Sequence, residues 1–269
     1  MIIVYEELRK TVKIWLTYPL VLVFWTIFPI MWVIPFIFQG KAFVGALSSQ
    51  AFADLTGTGQ YIPFVIIGAV VSTYMFSALY GIGNAFREES YWGTLEYLIG
   101  SPASKGFILL GKALSEGIFS TFFALSQLLF AIFLFGVKIT LTKILPILLI
   151  MSFLLLALYG LGIGLAGLTL LIKESRGIIH SLDDILYLFS PIRYPVEVNP
   201  ITKFVSLFIP LTYALIAIRG ILLLNKPFHL LITEMVALLL LDIGFLFFGF
   251  YTFNTLERKV RQTGTIGHH

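Results

Sequence analysis

Long apolar stretches alternate with short polar ones along most of the chain. Five stretches are apolar almost throughout, and they cover residues 20–38, 62–86, 107–137, 144–172 and 230–253. A helix needs about 20 consecutive apolar residues to cross the hydrocarbon core of a bilayer. Each stretch approaches or exceeds that length, so each predicts a transmembrane helix.

Two further apolar stretches are interrupted. The segment 177–189 contains His180, Asp183 and Asp184 and is short for a crossing unless it continues into the residues that follow, but we assign it as the fifth of six spans. The segment 201–224 is broken by Pro210 and closed by Arg219, which favours a re-entrant hairpin. A seventh crossing there would also move the basic C-terminal residues to the other side, against the positive-inside rule.

Residues 1–17 combine apolar and charged positions at helical spacing. Val4, Leu8, Val12 and Trp15 recur on one face, while charged residues occupy the others. This pattern predicts an amphipathic helix that lies at the membrane interface, although a plain polar segment before the first span is the alternative.

Composition supports an integral membrane protein. Of the 269 residues, 58% are hydrophobic and 12% are charged, whereas soluble domains carry about 25% charged residues. Six spans and their loops occupy the whole length, so residues 1–269 form one membrane domain. The net charge of +4 is dispersed and predicts no nucleic-acid partner. With both termini in the cytoplasm, most Lys and Arg residues flank the spans on the inner side.

Several charged side chains fall within apolar segments, where they are costly and need partners or water. His180 and Asp184 are four residues apart on one helix face, as are Lys112 and Glu116, so each pair can interact. His180, Asp183, Asp184 and Asp242 are the candidates for a translocation path, with a structural role as the alternative. Gly160 and Gly164 have the spacing of close helix packing, or Gly is simply tolerated there.

Motifs for catalysis and for nucleotide or metal binding are missing or incomplete. Residues 106–112 spell Gly-x-x-x-x-Gly-Lys, but Ala113 stands where a phosphate-binding loop needs Ser or Thr, and the intervening residues are apolar. No metal-ligand spacing or catalytic triad is present, and Cys is absent. An ATP-driven pump of this kind would therefore need a separate ATPase.

The loop 87–105 carries a pattern that resembles the permease subunit of type-2 ABC transporters. The matching residues are Phe86, Arg87, Glu88, Glu89, Gly93, Thr94, Leu95, Glu96, Ser101, Pro102, Leu110, Gly111 and Lys112. The resemblance implies that this loop is cytoplasmic and contains a short coupling helix that docks on a separate ATP-hydrolysing subunit. Arg87 to Glu89, Gly93 to Glu96, Ser101 and Pro102 are then the coupling residues. A charged loop that only serves solubility is the alternative.

A second stretch is similar to the family's extracytoplasmic re-entrant region before the last span. It lies within residues 190–229, and its matching residues include Pro195, Pro200, Pro210, Thr212, Tyr213 and Arg219. These six residues are the candidates for an outer gate. Residues 190–193 (Ser-Pro-Ile-Arg) depart from the more apolar pattern of many relatives, which weakens any inference about substrate from this loop.

The resemblance implies an all-α permease of the plasma membrane that works as a dimer, most simply a homodimer, with two copies of an ABC ATPase. ATP and magnesium would bind to the partner ATPase, and the cargo would be an exported drug, lipid or glycan. An ion-coupled secondary transporter or channel that uses Asp183, Asp184 and Asp242 is the alternative, although no internal repeat supports it. An intramembrane enzyme is a third reading, which the shortage of His and Cys disfavours.

Overall fold

The structure is a computed structural model, and it describes residues 2–24, 27, 31, 34–35, 38, 50–102, 104–135, 140–172 and 176–263. Within these ranges every regular element is helical and no strand occurs. The prediction of an all-α chain is confirmed for this part. The predicted first span, 20–38, is described only at residues 20–24, 27, 31, 34–35 and 38, so it stays a prediction.

The helices are numbered in chain order within the described ranges. In chain order they are α1 (Ile2–Thr17), α2 (Gln50–Thr56), α3 (Tyr61–Phe76), α4 (Ala85–Tyr91), α5 (Leu95–Gly100), α6 (Lys105–Phe135), α7 (Ile144–Leu171), α8 (Arg176–Phe189), α9 (Pro200–Ser206), α10 (Pro210–Leu222) and α11 (Ile232–Thr263). A π-helix (Ser77–Ile82) continues α3 without a break.

Four helical segments within the described ranges are long and apolar enough to cross a membrane. They are Tyr61–Ile82, Lys105–Phe130, Ile144–Leu171 and Phe228–Val260. These segments agree with four of the predicted spans. The number rises to five if the bent pair α9 and α10 counts as one span, so the predicted total of six remains a prediction.

Helix α8 is the shortest of the predicted spans. Its 14 residues extend over about 21 Å, less than the ~30 Å of a hydrocarbon core. The chain continues through Ile192, whose carbonyl accepts a hydrogen bond from Arg219 close to the start of α3. Residues 190–194 form turns and bends that pack this end of α8 against the start of α3.

Helices α9 and α10 meet at an angle of 97°, the geometry of a broken span or a re-entrant loop. Pro200 and Pro210 each stand in the first turn of their helix, where a missing backbone N–H costs nothing. The side chain of Asn199 caps α9 by accepting a hydrogen bond from the Ile201 N–H at 2.8 Å. This bend agrees with the hairpin that Pro210 predicts.

Helix α7 is the centre of the bundle and packs along α11. A Cβ atom added to Gly160 would lie 2.6 Å from the backbone of Phe245 and Leu246, and one added to Gly249 would meet the backbone of Gly160. Only glycine allows the two helices to approach this closely. The predicted close packing at Gly160 is confirmed.

Helix α1 packs against the first half of α6. Gly111 faces Val4 and Glu7, and the Trp15 ring lies 5.0 Å from the ring of Phe119. The predicted helix over 1–17 is confirmed as Ile2–Thr17, while its position at a membrane interface stays a prediction. We call the end of the bundle where α1, α4 and α5 meet α6 the network end, and the end with α9 and α10 the hairpin end.

Candidate functional site

The π-helix that ends the second span is the centre of the polar structure. π-helical turns are rare and occur frequently at functional sites. This one directs Ser77 toward α6 and Tyr80 toward α8. A Cβ atom at Gly81 would collide with the Glu116 carboxyl group, so the glycine makes room for a charged side chain.

An ion-pair network lies between the π-helix, α4 and α6. The Lys112 Nζ atom lies 2.8 Å from Glu88 Oε2 and 3.7 Å from Glu116 Oε1. Ser77 Oγ donates to the backbone carbonyl or the carboxylate of Glu116, each at 3.2 Å. The predicted pair of Lys112 and Glu116 is confirmed, and Glu88 joins it from the predicted coupling loop.

The same network extends to α1. The Lys10 ammonium group pairs with the Glu89 carboxylate, which also accepts a hydrogen bond of 2.5 Å from Thr94 Oγ1. A weaker pair of 3.9 Å joins Lys10 to Glu7. We call Lys10, Glu88, Glu89, Lys112 and Glu116 the ion-pair network. It ties the N-terminal helix, the loop after the second span and α6 together.

Two carboxyl groups of this region that lie outside the membrane-spanning helices have shifted pKa values. Burial raises the pKa of Glu7, and the attraction of Lys10 only partly offsets that rise. Burial also raises the pKa of Glu89, but hydrogen bonds from Lys10 and Thr94 outweigh burial and hold the pKa below its usual value. Glu89 is therefore ionised at neutral pH and suited to hold Lys10.

The turn between α4 and α5 separates inward from outward residues. Gly93 has a φ of +69°, a left-handed conformation that favours glycine, and it lets the chain reverse after Trp92. Leu95 then inserts into the core with 5% exposure. Glu96 lies on the exposed side of α5, while Ser101 Oγ closes the helix by donating to the Leu98 carbonyl at 2.8 Å.

The predicted coupling residues therefore do not form one surface. Glu88 and Glu89 bind lysines of their own chain, although the Glu88 side chain is still 49% exposed. Arg87 is half-buried, and Thr94, Glu96 and Pro102 are exposed. Three large aromatic side chains of this segment are highly exposed: Tyr91 (83%), Trp92 (72%) and Tyr97 (82%). These three residues are not among the predicted coupling residues, although large rings in an otherwise polar loop are a signal for a docking surface.

A second polar group joins α8 to the π-helix. Tyr80 Oη donates to Asp183 Oδ2 at 3.1 Å or to His180 Nδ1 at 3.2 Å, and His180 Nε2 lies 4.0 Å from Asp184 Oδ2. The predicted pairing of His180 with Asp184 is confirmed. We call Tyr80, His180, Asp183 and Asp184 the α8 cluster. Asp183 is buried, while the side chains of His180 and Asp184 are exposed.

Asp242 is separate from the α8 cluster. It is 2% exposed and lies on α11 next to the α7 backbone at Ala157. It makes no hydrogen bond with His180, Asp183 or Asp184. The four residues predicted for a translocation path therefore divide into a group of three and one isolated carboxyl.

Arg219 joins three segments at the hairpin end. Its guanidinium group donates to the carbonyls of Pro191, of Ile192 at 3.0 Å and of Phe64 at 2.8 Å, and its Cζ atom lies 3.4 Å from the centre of the Phe64 ring. Thr212 is buried in the first turn of α10. The Tyr213 hydroxyl donates to the Leu207 carbonyl at 3.0 Å and fastens the bend between α9 and α10.

The Pro195 position starts a 3₁₀ turn (Val196–Val198) that leads to α9. The six predicted gate residues thus belong to one region, in which prolines begin the turns and Arg219 and Tyr213 hold them. The sequence singled out Arg219, but its backbone acceptors come from parts of the chain that only folding brings together.

Comparison with known protein families gives a match over most of the chain. The family model described as ABC-2 type transporter matches residues 3–223, which include α1, the loop with α4 and α5, and the region up to α10. A comparison with curated proteins gives no match. Because the family match covers most of the chain, the protein belongs to the ABC-2 type transporter family and is a membrane-spanning permease component of an ABC transporter.

Proposed function

We propose that two copies of this permease form the pathway of an exporter, and that separate ATPase subunits drive it by docking on α4 and α5. The observation that carries the proposal is the exposed aromatic surface of Tyr91, Trp92 and Tyr97. Aromatic side chains are enriched at the centres of protein interfaces. We define these three residues, together with Glu96, as the docking surface.

The ion-pair network connects the docking surface to α1 and α6. Helix α4 carries Glu88 and Glu89, which bind Lys112 on α6 and Lys10 on α1. A push on the docking surface would therefore move α1, α6 and the π-helix as one body. Rigid-body motion about an interface is a common form of switching, and the ion-pair network supplies the stiffness that it needs.

The nucleotide site belongs to the partner in this proposal. Residues 106–112 are part of the first turns of helix α6, where the N–H groups of Phe107 and Ile108 donate to the Ser104 carbonyl and the later ones make helical hydrogen bonds, so this segment is not a phosphate-binding loop. Gly111 packs against α1, and Lys112 pairs with two glutamates of its own chain. ATP and magnesium would bind to two ATPase subunits.

The need for a second permease copy follows from the α8 cluster. His180 and Asp184 have exposed side chains in a single chain. Charged groups at membrane depth almost always face a bundle interior or a water-filled cavity, because contact with lipid is costly. A second copy facing α8 would enclose them. The network end would be cytoplasmic, in a plasma membrane, with export of a drug, lipid or glycan as the resemblance implies.

The test uses ATP turnover in proteoliposomes by the ATPase that copurifies with the full-length permease. We expect the wild-type permease to change turnover, and Trp92→Ala with Tyr97→Ala to reduce that effect at least tenfold without altering thermal stability. Glu96→Ala should weaken the effect in the same way. Glu88→Ala should also weaken it, together with a loss of stability, because Glu88 belongs to the network.

The matched control is Tyr251→Ala, which removes another exposed aromatic ring, 63% exposed, from α11. It should leave turnover unchanged. If the docking variants behave like this control, the docking surface is wrong. If no ATPase copurifies and transport instead follows an imposed proton gradient, the ion-coupled alternative replaces the proposal.

A further inference from the structure

The α8 cluster has the composition of a binding site for a positively charged molecule. We infer that it binds lipophilic organic cations, so that the exporter's substrates include molecules of this class. The inference rests on the proposed function, because a pathway formed by two copies is what would enclose the exposed side of the cluster. Its support comes from charge, from an unpaired oxygen atom and from aromatic rings.

In the part of the chain that the structure describes, the negative charge of Asp183 and Asp184 is not neutralised by a lysine or an arginine. The hydrogen-bond and ion-pair partners of Asp183 and Asp184 are Tyr80 and His180, neither of which carries a fixed positive charge. Among the described residues, neither carboxylate forms an ion pair with Lys or Arg. A site of this kind keeps a negative potential that attracts cations, and apolar surroundings strengthen that potential.

One carboxylate oxygen of Asp183 has no hydrogen-bond partner in the described part of the chain. Asp183 is only 7% exposed, and its Oδ2 atom accepts the hydrogen bond from Tyr80, while its buried Oδ1 atom has no hydrogen-bond partner among the described residues. A buried carboxylate oxygen without a partner is unfavourable. A cation bound next to Asp183 would remove this cost, whereas an anion would increase it.

Aromatic rings lie next to the α8 cluster. The Phe76 ring lies 6.4 Å from the ring of Tyr80 and 6.2 Å from that of Tyr187. The guanidinium group of Arg193 covers one face of the Tyr187 ring, with its Cζ atom 4.1 Å from the ring centre, which leaves the rings of Phe76 and Tyr80 to contact a bound cation. Aromatic faces beside carboxylates recognise organic cations through cation–π attraction, and their apolar area suits a lipophilic body.

The experiment compares two probes of matched size and opposite charge, tetraphenylphosphonium and tetraphenylborate. Binding to the full-length permease in nanodiscs is measured by equilibrium dialysis. We expect saturable binding of tetraphenylphosphonium and no competition from tetraphenylborate. The double variant Asp183→Asn with Asp184→Asn should weaken cation binding at least tenfold, and Tyr80→Phe should weaken it less.

Asp54→Asn is the matched control, because Asp54 lies on α2 with Gln50 as its partner. It should bind the cation like the wild type. If the double variant fails to fold, Asp184→Asn alone decides the matter, since its side chain is exposed and its replacement leaves packing intact. Equal binding of both probes, or unchanged cation binding by Asp184→Asn and the double variant, would overturn the inference.

These measurements need no ATPase, so the two proposals fail separately. A permease that responds to its ATPase but shows no carboxylate-dependent cation binding rejects the cation site alone. A permease that binds tetraphenylphosphonium through Asp183 and Asp184 but recruits no ATPase rejects the proposed energy source and leaves the cation site standing.

Discussion

The ion-pair network and the α8 cluster both contain carboxylates beside the π-helix, yet their partners differ. In the network, Glu88, Glu89 and Glu116 each face a lysine. In the α8 cluster, Asp183 and Asp184 face a tyrosine and a histidine. The two groups are joined through one short segment, since Ser77 contacts the first and Tyr80 the second.

This difference in partners corresponds to different roles: the ion-pair network holds helices together, whereas the α8 cluster is the inferred ligand site. Carboxylates that are neutralised within the chain lock helices together and leave little field for a ligand. Carboxylates whose partners carry no fixed positive charge keep more of their own charge available to a ligand. Arg219 has the opposite charge to the α8 cluster and is also held by neutral groups, in this case backbone carbonyls. Its N–H donors are largely engaged in these hydrogen bonds, so its role is to hold the hairpin end.

The largest effect should come from Lys112→Met. The side chains of Lys112 and Glu116 are both mostly buried, so removing the lysine leaves the Glu116 carboxylate without a compensating charge. We expect a loss of about 3 kcal/mol in the free energy of unfolding, measured by denaturant unfolding in detergent. Lys203→Met, at an exposed site on α9, is the control. The double change Lys112→Met with Glu116→Gln should recover much of the loss, and equal stability of Lys112→Met and the control would contradict the network's role.

A smaller loss, about 2 kcal/mol, should follow Arg219→Met, because the carbonyls of Phe64, Pro191 and Ile192 lose their donor. Hydrogen–deuterium exchange over residues 190–199 should rise in this variant. Arg219→Lys should be intermediate, since an ammonium group does not reproduce the planar fork of guanidinium. Exchange that stays at the wild-type level in both variants would show that Arg219 does not hold the hairpin end.

Glu89→Gln should cost about 1 kcal/mol at neutral pH, because it removes the pairing with Lys10. The folded pKa of Glu89 lies below the ordinary 4.5, so its contribution is complete above pH 4.5 and disappears as the pH falls through the lower folded value. The stability difference between wild type and variant, followed by thermal unfolding against pH, should shrink in that acidic range. Taking this difference removes the opposite effect of Glu7, whose pKa is raised. A difference that grows on acidification would contradict the assignment.

The smallest effect on stability should come from Asp184→Asn. Its side chain is 72% exposed and its only ion-pair partner among the described residues is His180 at 4.0 Å. We expect a change within about 0.5 kcal/mol, measured as for Lys112→Met. A loss above about 1 kcal/mol would mean that the α8 cluster holds the fold as the network does, and the comparison between the two groups would fail.

Local patterns predicted much of the fold. Apolar length alone located the segments that became α3, α6, α7 and α11, because a helix that crosses a bilayer must be about 20 apolar residues long. Spacing within one helix predicted the pairs of Lys112 with Glu116 and of His180 with Asp184. Such contacts depend only on the helical repeat, which every stretch of sequence carries with it.

The site itself needed the tertiary structure. Lys10 meets Glu89 across 79 residues, Tyr80 meets Asp183 across 103, and Arg219 reaches the Phe64 carbonyl across 155. No periodicity encodes these partners, since they depend on how the helices pack and on a π-turn that shifts the register of Ser77 and Tyr80. The sequence by itself determined which residues are charged within a membrane protein and which segments are helical. Packing decided which of those charges are neutralised and which are left to bind.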